Sequence, residues 1–349
     1  MYSYHWSYLG LSQTRLGTTN WDRSKTMTSV VFFRGLTMPN YRFSGHETFP
    51  CRYAWLPKAF IAIEKNSRVF ADEDQAMVAL GVGKNMMRAI RFWVQATGIA
   101  EIARNSELAL TEFGKRLLAK DGLDPFLEDR RTLWLIHWKL SSHVEESLFA
   151  WDYLLNRWSN PEISRTEVLR VFEQEARRLN RKLSTVTLAQ HFDTFLHTYV
   201  PTRSRKGDVQ EDNLDSPLVE LELIQRIGER DPGETGRREP LYAFRREAKP
   251  DITNELFIYC LQEFWNKRLP NEKTLTFRDV AIAHGSPGQI FKLPEWEIRD
   301  RLESIEADSN GHFHYKESAS LQQITCTTSP TLFDNDLLAP IYQLEVAHA

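Results

Sequence analysis

The segment Tyr41-Arg42-Phe43-Ser44-Gly45-His46-Glu47-Thr48-Phe49-Pro50-Cys51-Arg52 sets a histidine beside a carboxylate, between two phenylalanines, with a guanidinium close behind. Cleaving a phosphodiester requires an activated nucleophile and neutralisation of developing charge. In that chemistry His46 is a candidate base, Glu47 a candidate ligand for a divalent ion, and Arg52 a candidate bidentate clamp for a phosphate. The competing reading is structural: His46 bonds a loop carbonyl, Glu47 caps the following helix, and Arg52 pairs with a core carboxylate. No complete HNH or PD-(D/E)xK pattern accompanies these residues.

A second constellation is built for binding. Glu73–Leu80 predicts a helix with Ala76, Met77 and Leu80 inward, and Lys84–Ala96 predicts another with Met87, Ile90 and Val94 inward. Gly81 and Gly83 bracket the turn between them, where glycine reaches φ > 0 without steric cost. Lys84, Asn85, Arg88 and Arg91 fall near the start and on the outer side of the second helix. That is where a recognition helix meets a DNA groove, with lysine and arginine on phosphates and Asn85 or Arg88 within reach of base edges. Ile99–Leu110 predicts a hairpin with Asn105-Ser106 at its tip, a wing. The bland alternative is an ordinary solvated face.

Asp121, Asp124, Glu128 and Asp129 form a carboxylate cluster that can hold a divalent ion if folded together, or can form the acidic first turn of a helix started by Asp124-Pro125. His137 and His143 lie on or near apolar stretches and read as packing residues. His312 and His314 alternate on a strand with no cysteine or carboxylate at ligand spacing. Ser286-Pro287-Gly288 lacks the Gly-Lys-Ser/Thr of a phosphate loop, so no nucleotide cofactor is expected.

The strings FSGHETF, WLPK and LGVGKNM, with LTEFG at Leu110–Gly114, DGLDPFLED at Asp121–Asp129, TLWLIHW at Thr132–Trp138 and SPGQIFKL at Ser286–Leu293, resemble the SspB-like family. This is a bacterial domain-of-unknown-function family tied to DNA phosphorothioation and anti-phage defence. The resemblance runs from about residue 40 to the end. It implies a DNA-binding component of such a system, with metal-dependent nicking of DNA as its activity and Mg or Mn as the ion. It also implies DNA and the sulfur-transfer and ATPase components as partners. The family motifs do not say which residues cut. The alternatives are a non-catalytic DNA-binding adaptor or regulator that recruits partner enzymes, and a protein-interaction scaffold.

The elements that must position these residues are mainly α-helical. The chain has 349 residues, 42% hydrophobic and 12% aromatic with ten Trp, enough for several filled cores. A net charge of −3 gives no global pull on nucleic acid, so affinity must come from a local basic face. Cys51, Cys260 and Cys326 are isolated, without zinc spacing, and suit a reducing cytoplasm. No apolar run approaches the ~20 residues that span a bilayer. The expected plan is an upstream extension over residues 1–37 with Met38 as the native start, then a winged helix-turn-helix over 38–120. A helical bundle follows over 121–201, a linker over 202–215, and a C-terminal domain over 216–349 that repeats the helix–helix–turn–helix–hairpin order of a second winged helix. In the bundle, Ser164 and Glu167 have capping-box spacing.

Overall fold

The WLPK segment forms the first helix, α1 (Trp55–Lys65), which buries Trp55, Leu56, Ala59, Phe60 and Ile63 along one stripe. A short 3-10 turn leads into α2 (Glu73–Leu80), whose N-cap Asp72 accepts hydrogen bonds from the backbone N–H groups of Asp74 and Gln75. Helix α3 (Lys84–Ala96) packs against both α1 and α2, with Met87, Ile90 and Val94 buried together with Ala89, Phe92 and Trp93. Of the two glycines in the α2–α3 turn, only Gly81 takes a left-handed conformation (φ 63); Gly83 is extended at φ −75 and serves as the N-cap of α3. Strands β1 (Ala100–Ile102) and β2 (Leu108–Leu110) pair antiparallel, Glu101 opposite Ala109. The expected hairpin tip, Asn105-Ser106, lies outside the described residues. Helix α4 (Glu112–Leu118) follows, capped by Thr111.

This computed structural model describes residues 40–103, 107–201, 216–231, 238–318, 321–327 and 337–343. All of them fall within the unit Pro39–Ala349. The expected extension over 1–37 and the linker over 202–215 lie outside the described residues.

Helix α5 (Arg130–Ser141) starts later than Asp124-Pro125 implied, because Asp129 is its N-cap and Leu127 is left-handed at φ 60. Asp124 instead closes the preceding turn: its Oδ1 accepts the Glu128 N–H at 2.9 Å and its Oδ2 the Asp129 N–H at 3.0 Å. Helices α6 (Phe149–Asn156), α7 (Arg165–Arg178) and α8 (Thr185–Tyr199) complete the central helical layer. Ser164 caps α7 as its spacing predicted, with its side chain accepting the Glu167 N–H. The Glu167 carboxylate instead accepts from the Asn160 amide. The middle of the chain is not purely helical. Ile163–Ser164 forms β3 and joins a hairpin made much later, β4 (Ile224–Arg230) with β5 (Glu239–Phe244), in the order β3-β5-β4. Sequence periodicity could not reveal a two-residue strand whose partner lies about eighty positions downstream.

The remaining elements are α9 (Asn254–Arg268), β6 (Thr274–Thr276), α10 (Phe277–Ile282), α11 (Pro287–Phe291), α12 (Glu295–Asp308), β7 (Phe313–Ser318), β8 (Leu321–Cys326) and α13 (Ala339–Tyr342). Ser286 is the N-cap of α11, and Pro287 stands in its first helical turn. Strand β6 pairs with β8, making a three-stranded sheet in the order β6-β8-β7. Thr276 and Asp279 form the reciprocal capping box that starts α10. Helix α13 docks on α5: Arg131 donates to the Ile341 carbonyl at 2.7 Å, and the Thr132 and Tyr342 hydroxyls meet at 2.7 Å. The architecture is mainly α with small antiparallel sheets. Among the described residues no helix is long and apolar enough to cross a membrane.

Candidate functional site

The opening motif folds as a tight loop. Gly45, Glu47 and Thr48 all have positive φ, at 111, 49 and 65. Two side-chain-bearing residues in the left-handed region within one loop are costly, and surrounding structure must hold them there. His46 supplies much of that hold. It is 3% exposed. Its Nδ1 accepts the Thr48 N–H at 3.1 Å, and its Nε2 meets Nδ1 of His191 on α8 at 3.0 Å. Phe92 packs edge-on against the ring, and the two imidazoles lie nearly parallel. The Ala150 N–H points at His191 Nε2 from 3.0 Å. A neutral His191 accepts at one ring nitrogen only, and a protonated ring would accept at neither, so the Ala150 N–H favours the neutral form. Burial, with Arg42 nearby, pushes the His46 pKa down to about 4, and burial together with His46 pushes His191 well below the usual value.

Glu47 and Thr48 sit on the outer side of the loop, half-buried and exposed. Glu47 makes no ion pair among the described residues. Arg52 lies with its guanidinium 5.5 Å from the Trp55 ring centre. The three residues singled out for cleavage therefore share a loop, but the histidine faces the core while Glu47 faces outward.

On α3, Lys84, Asn85 and Arg88 are exposed and Arg91 is half-buried. Their surroundings were not legible in the sequence. Glu73, the first residue of α2, pairs with Lys84 at 2.7 Å and with Arg88 at 2.6 Å. Those two cations hold the Glu73 carboxyl below its usual range through their hydrogen bonds. Arg91 reaches toward the Phe70 carbonyl at 3.5 Å. The face is basic, with one carboxylate seated in it.

A third cluster escaped the sequence reading. Asp152, on the buried side of α6, is 4% exposed and accepts from three directions. The Tyr41 hydroxyl donates to its Oδ2 at 3.0 Å, His284 Nε2 lies 2.8 Å from its Oδ1, and Arg157 lies 3.4 Å from its Oδ2. Burial pushes this carboxyl up, but His284, Arg157 and Tyr41 outweigh it and hold it below the usual range. The Gly285 N–H donates to Asn156 Oδ1 at 2.7 Å, fixing the His284-Gly285 turn on the same helix. Gly285 is left-handed at φ 78, and a Cβ there would stand 2.3 Å from Nε of Arg268. The cluster thus joins the opening motif, α6 and the segment before SPGQIFKL. The available signal was a lone aspartate inside the apolar run Phe149–Trp158, since a buried carboxylate demands partners.

The remaining candidates are structural. The hydroxyl of Tyr199 bonds His137 Nδ1 at 2.7 Å, and His137 Nε2 lies 3.2 Å from the Ile290 carbonyl; burial lowers its pKa to about 3. His143 Nε2 donates to the Ala96 carbonyl at 2.7 Å, and His314 pairs with Glu306. The carboxylates of Asp124 and Asp129 are occupied by backbone N–H groups and Arg131. Among the described residues no group of three or more His, Cys, Asp or Glu is arranged to hold a metal ion.

No curated protein matches this chain. Two solved structures resemble it at 25% identity, each alignment covering 82% of this chain and 83% of the other: one described as magnesium ion-bound SspB, with a TM-score of 0.71, and one described as SspB, with a TM-score of 0.70. The fold is thus SspB-like, as the motifs implied. Residues 43–342 match the family described as protein of unknown function DUF4007, and the chain belongs to that family.

Proposed function

We propose that this chain is a DNA-binding component of a phosphorothioation-linked defence system and that α3 is its DNA-contacting element. The observation that carries the reading is the placement of Lys84, Asn85 and Arg88. All three are exposed on the first turns of a helix whose other side is buried. That helix follows a short helix and a glycine turn and precedes the β1–β2 hairpin, the order of a winged helix-turn-helix. Similarity to SspB supports the system-level part of the reading. Phosphate contacts from Lys84, Arg88 and Arg91 supply affinity, and Asn85 supplies base discrimination.

The test incubates purified protein with supercoiled plasmid, with and without Mg²⁺ or Mn²⁺, and reads retardation and open-circle product in parallel. Retardation is the expected result. Open circles that vanish on chelation make the chain a metal-dependent nickase. Retardation without open circles makes it an adaptor. Neither result leaves a protein-interaction scaffold and overturns the DNA reading.

A further inference from the structure

The Asp152 cluster has the composition of a proton-transfer site. His284 Nε2 lies 2.8 Å from the Asp152 carboxylate, and the side chain is 37% exposed. In the neutral ring that contact places the proton on Nε2 and leaves the lone pair on Nδ1. Nδ1 makes no hydrogen bond among the described residues. A carboxylate that fixes the tautomer and steadies the cation formed on protonation is the orienting partner a histidine base requires.

Arg268, on α9, lies against the Gly285 backbone, where only glycine leaves room for its guanidinium. Its one described hydrogen bond is to the His143 carbonyl at 3.3 Å, and it makes no ion pair among the described residues. Arg157, by contrast, is committed to Asp152 and Glu175. The carboxylate that acts on Arg268 is Asp152, which is already shared by Arg157 and His284, so this half-buried cation, one residue from a histidine with a free lone pair, suits an anionic substrate. The Tyr41 hydroxyl also faces the cluster; it stays protonated and is spent on Asp152.

We propose that His284, positioned by Asp152, is the general base of a phosphodiester-hydrolysing site and that Arg268 binds the phosphate. The proposal rests on the DNA-binding reading above. In the reaction, His284 Nδ1 takes a proton from water as the water oxygen forms a bond to phosphorus. The bond from phosphorus to one bridging sugar oxygen breaks, and that oxygen takes a proton from solvent. His284 then returns its proton to solvent. One water is consumed, leaving a strand end bearing a phosphate and one bearing a hydroxyl.

The experiment compares the full chain with His284→Ala, measuring duplex affinity by anisotropy and single-turnover plasmid nicking with Mg²⁺ in the buffer. Expected are nicking by the parent chain, a loss of about 10²-fold in the variant at unchanged affinity and melting temperature, and partial recovery when imidazole is added. Undiminished nicking by the variant, or a loss that imidazole does not relieve, overturns the assignment of His284. A parent chain that binds DNA without nicking overturns the proposal and leaves the DNA-binding reading standing; one that does neither overturns both. If the alanine variant unfolds, His284→Gln replaces it, since the amide can still bond Asp152. A folded glutamine variant that nicks at the parent rate overturns the proposal.

Discussion

At the scale of single residues, this protein uses buried neutral histidines as structural joints. His46 ties the left-handed loop to α8, and His137 ties α5 to α8 and α11. Their folded pKa values, about 4 and about 3, lie below the ordinary 6.5. Below pH ~6.5 the unfolded chain takes up protons that the folded chain refuses until those lower values are reached. Stability is therefore fully present above pH ~6.5 and falls as the pH drops toward 4, by about 1.4 kcal/mol per pH unit for each such ring. Urea midpoints measured from pH 7.5 to pH 5 should fall steeply, and His137→Gln should shallow the slope. A midpoint flat across that range would show that these rings are not held neutral. The apolar setting of His137 was legible in the sequence. The pairing of His46 with His191 was not, because nothing in a local pattern reports a partner 145 positions away. The same reason hid Asp152, two of whose partners, Tyr41 and His284, are distant in sequence.

At the scale of elements, α3 was the most legible part of the fold. Its period alone put Met87, Ile90 and Val94 inside and left the basic side out; the structure buries those three and exposes Lys84, Asn85 and Arg88, while Arg91 is half-buried. Less legible were the elements defined by non-local pairing. Strand β3 exists only because β5 lies beside it, and β6 only because of β8. The start of α5 was misplaced because Asp124 caps a turn in which Leu127 is left-handed, a choice that the Asp-Pro signal does not report. The contact between α2 and α3 has a consequence for binding. Glu73 occupies Lys84 and Arg88 together, so a DNA phosphate must compete with it for both cations. Glu73→Gln should raise duplex affinity several-fold at low salt, and added salt should shrink the gain as screening sets in. Affinity unchanged or lowered in this variant would mean that Lys84 and Arg88 do not meet phosphate.

At the scale of the whole molecule, a single apolar core runs from Tyr41 to Ile341, so the α3 face and the Asp152 cluster are carried on one framework. The whole chain carries a net charge of −3, which opposes rather than assists approach to DNA. Binding must therefore depend on the local basic face, and this is the central claim. The most direct measurement is the affinity for a labelled duplex across a series of salt concentrations, for the parent chain and for Arg88→Ala with Arg91→Ala. Each phosphate contact contributes about −0.9 to the slope of log K against log salt. The account predicts weaker binding in the double variant and a slope shallower by up to about two contacts, with the melting temperature preserved because neither side chain is part of the core. Affinity and slope both unchanged would contradict it and remove α3 as the DNA-contacting element.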